Sequence, residues 1–261
     1  MMQMKEKALV VAIVQARTSS SRLPGKVLRP ILGTPMILHE LERLRHCKTL
    51  GKIVLATSID TSDDALAATV QDAGWDVYRG SLDDVLDRYV RCASLYGADH
   101  VVRITGDCPL IDSAVVDTVV TAHLTHGNDY TSNTLRRVTY PDGLDTEVMT
   151  AEALRKADRE ARLASEREHV TQYLIKHPEL FRQENIASVE DLSNERWTVD
   201  EPEDFAFVTC IYEALYPKHP AFGMADVLAY LAAHPECHRM NAAFERNEGL
   251  AKSLREDHIV R

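Results

Sequence analysis

Short apolar runs alternate with helical patterns through the first half of the chain, and this alternation restricts the fold more than any other feature. The runs at 9–15, 53–56 and 101–104 are apolar and mostly rich in Val and Ile, as is typical of strands buried on both faces of a parallel sheet. With helical patterns between the strands, the alternation predicts an α/β fold. Its mostly parallel sheet should be doubly wound, with right-handed crossovers.

Capping residues set the predicted ends of the other elements. In the first half we expect a short strand at 77–78 and helices over 34–47, 61–74, 81–97 and 112–127, the first with Thr34 as N-cap and Pro35 at its first position. The second half is expected to be a smaller insertion. Its predicted elements are a strand at 148–149, helices over 150–163 and from the Ser165-x-x-Glu168 capping box to before Pro178, a strand at 197–199 and a helix that starts at Pro202.

A basic loop, residues 16–28, follows the first predicted strand. It contains three serines together with Arg17, Arg22 and Lys26, and no Asp or Glu occurs between residues 8 and 39. The whole chain has a formal net charge of −10, so this lack of carboxylates is a local feature. Cations, hydroxyl groups and backbone N–H groups are good donors to phosphate oxygens. The loop therefore predicts an anion site.

The basic loop matches neither of the two common phosphate loops. A Walker A loop needs Gly and Ser or Thr where this chain has Ser20 and Val27, and Gly-x-Gly-x-x-Gly does not occur here. The loop instead resembles the signature of nucleotide-sugar cytidylyltransferases, Ala-Arg-x-x-Ser-x-Arg-Leu-Pro-Gly-Lys, which CMP-Kdo synthetases and the SpsF group of spore coat polysaccharide biosynthesis proteins carry. The matching residues are Ala16, Arg17, Ser20, Arg22, Leu23, Pro24, Gly25 and Lys26. The resemblance implies a Rossmann-like, GT-A-like nucleotidyltransferase fold.

The resemblance also implies a CTP site on several loops. The stretch Gly-Asp-x-Pro-Leu at 106–110 follows a predicted strand, as it does in sugar cytidylyltransferases, and the stretch 79–89 resembles SpsF-type sequences that flank the base. Helix capping is the alternative role of Ser81 and Asp84. The residues assigned to the nucleotide are Ala16, Arg17, Ser20, Arg22, Lys26, Ser81, Arg103 and Asp107.

Four of the expected site residues are assigned to catalysis: Arg17, Lys26, Asp107 and Asp200. Arg17 and Lys26 would hold the β- and γ-phosphates and stabilise the departing pyrophosphate. Asp107 and Asp200 would bind one Mg²⁺, which prefers one or two carboxylates together with phosphate oxygens and water. The alternative role of Asp200 is an N-cap. The sequence identifies no general base.

The second half is expected to bind the acceptor. It resembles SpsF-type sequences in the turn Asp-Gly-Leu-Asp-x-Glu at 142–147 and in Arg-Glu-His-Val-Thr at 167–171. The residues assigned to the acceptor are Asp142, Asp145, Glu147, Arg167 and His169. The alternatives are an ordinary turn at 142–143, a surface position for Arg167, a capping role for Glu168 and a structural role for His169.

Length and charge indicate the domain organisation and the kinds of partner to expect. We expect one structural domain of 261 residues with three parts: a nucleotide-binding half (1–135), an acceptor-binding or dimerisation segment (136–196), and a return strand with a helical tail (197–261). A segment at 247–254 of this tail resembles SpsF-like chains. The negative net charge argues against nucleic acid as a partner. Residues 1–7 are too polar for a secretory signal, no apolar run could span a membrane, and the five cysteines are scattered, which predicts a cytoplasmic protein.

These observations predict an enzyme that transfers CMP from CTP to a sugar acid or similar acceptor and releases pyrophosphate, for the biosynthesis of a surface polysaccharide or glycoconjugate. CTP, the sugar acceptor and a homodimer are implied by the resemblance alone. The alternatives are a nucleotidyltransferase with another nucleotide, one with a phosphonate or polyol phosphate acceptor, and a non-catalytic nucleotide-binding protein. His123 and His126, near a predicted helix end, are expected to interact with the helix dipole rather than with a metal.

Overall fold

The computed structural model describes residues 8–241, 244, 246 and 248–260. Its strands are β1 (Val10–Gln15), β2 (Pro30–Ile31), β3 (Thr34–Pro35), β4 (Lys52–Ser58), β5 (Asp76–Gly80), β6 (His100–Thr105), β7 (Tyr130–Ser132), β8 (Glu147–Thr150) and β9 (Gln183–Asn185). The α-helices are α1 (Met36–Arg45), α2 (Asp64–Asp72), α3 (Val85–Leu95), α4 (Ser113–His126), α5 (Ala151–Glu160), α6 (Ala164–Glu168), α7 (Gln172–Lys176), α8 (Pro202–Leu215), α9 (Met224–Ala233), α10 (Pro235–His238) and α11 (Glu248–Arg255). No helix in this described part is long and apolar enough to cross a membrane.

A seven-stranded sheet has the order β5-β4-β1-β6-β8-β7-β9. Strands β5, β4, β1 and β6 are parallel, while β8 runs antiparallel to both β6 and β7. From β1 the chain proceeds outward to β4 and β5 and then returns to β6 on the other side of β1. Such a reversal of strand order opens a crevice at the carboxyl ends of the two central strands. The predicted doubly wound, mostly parallel fold is confirmed.

Apolar residues cover both faces of the sheet. Along β1, Val10, Ala12 and Val14 pack into one cluster, whereas Val11 and Ile13 pack into the other. Helices α1, α2, α4 and α8 cover the first face, and α3, α5 and α7 cover the second. The period of two, with both faces apolar, explains why the strand reads as a continuous hydrophobic run.

Two predicted element boundaries near helix starts are wrong. Thr34 and Pro35 form β3, which pairs with β2 as a separate ribbon, and α1 begins only at Met36 with Pro35 as its N-cap residue. Residues 165–177 form two short helices rather than one, because the chain turns at Val170 with φ 58°. The capping box of the first, α6, is also two residues earlier than predicted: Glu166 accepts the backbone N–H of Leu163 at 3.1 Å.

The predicted strand at 197–199 is extended backbone outside the sheet. Its N–H groups at Trp197 and Val199 donate to the carbonyl oxygens of Asp142 and Asp107, at 2.6 and 2.8 Å.

The predicted interaction of His123 with the helix dipole is also wrong. Burial lowers the pKa of His123 to about 4, and the neutral ring hydrogen-bonds to His100 and Thr131.

Candidate active site

A cleft of about 1000 Å³ lies at the carboxyl ends of β1 and β6. Its walls come from the basic loop, the start of α3, the loop after β6, helix α6 and the described end of the chain. The expected site residues that line it are Ala16, Arg17, Ser20, Arg22, Lys26, Asp107, Arg167, His169 and Asp200. Ser81, Arg103, Asp142, Asp145 and Glu147 do not line it. The sheet topology therefore gathers the basic loop and both candidate metal ligands in one place.

Close packing brings the basic loop against the loop after β6. The Gly106 N–H donates to the Gln15 carbonyl at 2.8 Å, and a Cβ at Gly106 would lie 2.7 Å from the Cβ of Ala16. Asp63 anchors the other side by accepting from the backbone N–H and the hydroxyl of Thr18, at 2.8 and 2.9 Å. Burial raises the pKa of Asp63, but hydrogen bonds from Ser58 and Thr18 outweigh it and lower the pKa. The sequence predicted a helix over 61–74 but gave no role at the basic loop to Asp63.

Lys26 lies between Asp107 and Asp200, the two carboxylates expected to bind the metal. Its Nζ is 3.0 Å from Asp107 Oδ2, 2.9 Å from Asp200 Oδ1 and 2.7 Å from the carbonyl oxygen of Val199. Burial opposes the ammonium charge, but Asp107 and Asp200 outweigh it and raise the pKa of Lys26. Reciprocally, the Lys26 charge lowers the pKa of Asp107 against the effect of burial. All three ammonium donors have partners, and both carboxylates face one cation.

Asp200 is not a helix cap. The N-cap of α8 is Glu201, and the backbone N–H groups of both Asp200 and Glu201 donate to Asp204 at 2.9 Å. The Asp200 carboxylate instead contacts Arg22, at 2.9 Å, in addition to Lys26. It is thereby directed toward the cations of the cleft.

Arg167, on α6, joins the start of α3 and helix α5 at the cleft wall. Its guanidinium donates to both carboxylate oxygens of Asp84, at 2.9 and 2.6 Å, and to Asp158 at 2.7 Å. It is 4% exposed, so the surface alternative is wrong. Asp84 also caps α3 by accepting the Asp87 N–H, and its own N–H donates to the hydroxyl of Ser81 at 3.0 Å. The capping role expected as the alternative for Asp84 is thus present, whereas Ser81 does not cap the helix, because α3 begins at Val85 rather than at the predicted residue 81.

A buried ion pair supports the turn between α6 and α7. Arg103 pairs with Glu147, and Glu147 also accepts from the hydroxyls of Tyr130 and Thr171, the latter at 2.7 Å. Arg103 reaches Gln15 on the cleft side, at 3.2 Å. Arg103 and Glu147 are therefore paired with each other behind the cleft, and through Thr171 they hold the backbone of the turn between α6 and α7.

That turn presents His169 to the cleft. The buried Nε2 atom of His169 has no hydrogen-bond partner and lies 3.7 Å from a Glu168 carboxylate oxygen. Burial lowers the pKa of His169, so the ring is neutral at neutral pH. Val170, the next residue, has φ 58°, a strained conformation for a β-branched side chain, and such strain clusters at functional sites.

The acidic turn at 142–147 lies behind Asp200. Arg246 pairs with Asp145, and Arg196 lies 3.4 Å from Asp142 and 3.6 Å from Asp200. Burial and the neighbouring Asp145 raise the pKa of Asp142 to about 7. A Cβ at Gly143, whose φ is 109°, would lie 2.7 Å from the Thr198 nitrogen. The turn is therefore packed against the 197–199 segment rather than open to the cleft.

A family model described as Cytidylyltransferase matches residues 11–222. The chain belongs to the cytidylyltransferase family. It is 32% identical over 234 residues to the spore coat polysaccharide biosynthesis protein SpsF of Bacillus subtilis, covering 87% of this chain and 95% of that protein. A cytidylyltransferase structure from Leptospira borgpetersenii, 31% identical, covers 91% of this chain and 100% of that one with a TM-score of 0.85. The predicted family resemblance is confirmed, and the chain is a CTP-utilising nucleotidyltransferase.

Two more distant relatives bear on the fold and on part of the sequence. A 3-deoxy-manno-octulosonate cytidylyltransferase of Geobacter sulfurreducens is 37% identical over 113 residues, which are 42% of this chain and 44% of that protein. The structure of a CMP:2-keto-3-deoxy-manno-octonic acid synthetase complexed with CTP is 20% identical, covers 79% of this chain and 99% of that chain, and has a TM-score of 0.60. At that identity the second likeness shows the fold.

Sequence reasoning missed several parts of the cytidylyltransferase cleft. Arg88 of α3 lines it; the stretch 79–89 that resembles SpsF-type sequences contains Arg88, but no role was assigned to that residue. The described end of the chain closes one side: Ser253 donates to Glu168 at 2.7 Å, and Ala164 N–H donates to the His258 carbonyl at 2.9 Å. The resemblance of the segment 247–254 to SpsF-like chains was the signal in the sequence that the end of the chain belongs to the site. Its first residue, Asn247, lies outside the described residues.

Proposed function

We propose that this cytidylyltransferase transfers CMP from CTP to a hydroxyl group of a sugar acid or related acceptor, with Mg²⁺, and releases pyrophosphate. The observation that carries the proposal is the single cationic position shared by Asp107 and Asp200, beside the basic loop. The family model supports CTP as the nucleotide. The names of the Bacillus and Geobacter relatives support a sugar-related acceptor and a role in a surface polysaccharide or glycoconjugate. A homodimer is part of the proposal.

The residues present fit a magnesium ion. Asp107 and Asp200 place carboxylate oxygens within 3.0 Å of the same ammonium group, so both already face one cation. Within the described ranges, no three His, Cys, Asp or Glu side chains gather as a metal cluster, which suits an ion that completes its octahedron with phosphate oxygens and water. When bound, Mg²⁺ would neutralise charge on the phosphate oxygens.

The transfer itself is an in-line displacement. The acceptor oxygen forms a bond to the α-phosphorus, the bond to the bridging oxygen of the β-phosphate breaks, and pyrophosphate leaves while the acceptor hydroxyl gives its proton to solvent water. The basic loop would bind the phosphates through Arg17, Ser20 and backbone N–H groups. Positioning and electrostatic stabilisation would supply most of the reduction in the barrier.

We place the acceptor between helix α6 and the described end of the chain. Two of the expected acceptor residues, His169 and Arg167, line the cleft there. Arg167, Glu147, Asp142 and Asp145 each already have a charged partner within the protein. This arrangement assigns them to shaping the acceptor site rather than to contacting the acceptor.

Pyrophosphate release tests the proposal directly. The protein is assayed with CTP, UTP, ATP or GTP against sugar acids, phosphonates and polyol phosphates, with Asp107→Asn as the inactive control. We expect release with CTP and a sugar acid only when Mg²⁺ is present. Release with another nucleotide or acceptor class would establish one of the alternative transferases, and CTP binding without release for any acceptor would indicate a non-catalytic protein. Sedimentation of the purified protein tests the homodimer.

A further inference from the structure

Arg88 is a buried cation that forms no ion pair with any carboxylate that the structure describes. It is 2% exposed, and its Nε has no hydrogen-bond partner, while Nη1 donates to the Ser81 carbonyl oxygen at 2.8 Å. Burial lowers the pKa of Arg88, and the nearby positive charge of Arg17 lowers it further, although guanidinium stays protonated in proteins. Such a group is costly to bury unless an anion completes its environment.

The other cleft cations differ from Arg88 in this respect. Lys26 is paired with Asp107 and Asp200, Arg22 with Asp200, and Arg167 with Asp84 and Asp158. Arg17 is exposed in the cleft and, within the described part of the chain, has no carboxylate partner either. The uncompensated positive charge of the cleft is therefore concentrated at Arg17 and Arg88.

We propose that Arg88 and Arg17 together form the subsite that binds the β- and γ-phosphates of the nucleotide. The inference rests on the proposed function and changes one expected role: Lys26, which contacts Asp107, Asp200 and the Val199 carbonyl oxygen, positions the two metal ligands rather than the terminal phosphates. Arg88 and Arg17 line the same cleft, together with the rest of the basic loop. A planar guanidinium fork suits phosphate oxygens.

Local packing sets the position of Arg88. Gly80 ends β5, and a Cβ there would lie 3.0 Å from Arg88 Cγ and 3.1 Å from Tyr78 Cε1. The absence of a side chain at Gly80 thus leaves room for the aliphatic stem of Arg88, which carries its guanidinium to the cleft wall.

The test is titration calorimetry of pyrophosphate into the full chain with EDTA present, so that neither a metal nor turnover is needed. We expect Arg88→Met to bind pyrophosphate at least about tenfold more weakly than wild type, since it loses charge-assisted hydrogen bonds. Arg88→Lys should bind pyrophosphate with intermediate affinity, because it keeps the positive charge but loses the paired donors of the guanidinium group. The matched control is Arg91→Met: Arg91 lies one turn further along α3, is exposed and pairs with Asp87 at 2.7 Å, and its loss should change affinity by less than about twofold.

Thermal unfolding separates this role from a structural one. Without ligand, Arg88→Met should unfold at the same temperature as wild type or higher, because it removes an uncompensated buried charge. A marked loss of stability, equal pyrophosphate binding by wild type and Arg88→Met, or no binding by wild type would overturn the inference. So would normal pyrophosphate and CTP binding by Arg88→Met with a raised acceptor KM, since Arg88 would then bind the acceptor. If wild type binds pyrophosphate through Arg88 but transfers no CMP, only the proposed function fails.

Discussion

Arg167 and Asp84 join α6 to the start of α3 through two hydrogen bonds, although 83 positions separate them in the chain. Asp84 also caps α3 and lies at the cleft wall, so the pair ties α6 to that wall. The residue that the sequence assigned to the acceptor carboxylate thus has a carboxylate partner within the protein.

Arg167→Ala should destabilise the protein by about 2 kcal/mol, less than for a fully buried pair because the Asp84 side chain is 35% exposed. The measurement is urea unfolding, with Arg162→Ala, an exposed neighbour, as the control that should change little. An unchanged free energy of unfolding together with a raised acceptor KM would mean that Arg167 contacts the acceptor, as expected from the sequence.

Asp107→Asn and Asp200→Asn should each lower pyrophosphate release by at least about a hundredfold, since each removes a carboxylate from the shared cationic position. The double variant should be no worse than the more damaging single one, because residues that act as a unit are not additive. Glu203→Gln, at an exposed acid in the first turn of α8, is the control and should remain active. Losses that multiply in the double variant would mean that the two carboxylates act separately.

Thr171→Val should lower kcat by about tenfold or more without changing CTP affinity, because it removes the hydroxyl that ties the His169 turn to Glu147 and so displaces His169. Thr171→Ser keeps the hydroxyl and should retain most of the activity. Steady-state kinetics and CTP calorimetry make the comparison. If Thr171→Val and Thr171→Ser were equally active, the hydrogen bond to Glu147 would have no part in positioning His169.

Acid should destabilise the protein through His123. Its pKa is about 4 in the folded chain against an ordinary 6.5, so between these values the unfolded state binds a proton that the native state does not. The free energy of unfolding should therefore fall as the pH decreases from about 7 to 4, by about 3 kcal/mol from this residue.

The check is the pH dependence of unfolding for His123→Gln. Its free energy of unfolding should decline less steeply below pH 7 than that of wild type, whereas His219→Gln, with a 60% exposed side chain, should keep the wild-type slope. Parallel curves for wild type and His123→Gln would contradict the pKa of about 4.

The amino-acid sequence by itself determined the parallel sheet, the position of the basic loop and the location of Asp107 at the carboxyl edge of β6. These follow from patterns in which each residue responds to its chain neighbours: a period of two along β1, caps such as Asp112 at the start of α4, and the rule that parallel strands end at one edge. Capping residues predicted the wrong structure in two places. Residues 34–35 pair with β2 instead of starting a helix, and the turn at Val170 divides residues 165–177 into two helices.

Only the tertiary structure decided which charges are paired. Lys26 meets Asp200 across 174 positions, Arg167 meets Asp84 across 83, and Arg88 is buried without a carboxylate partner among the described residues. No periodicity encodes these relations, because the free energy of an ion pair depends on distance and burial, and both are set by how helices and loops pack around the sheet. The same basic residues in the sequence are therefore neutralised, structural or available for phosphate according to their place in the fold.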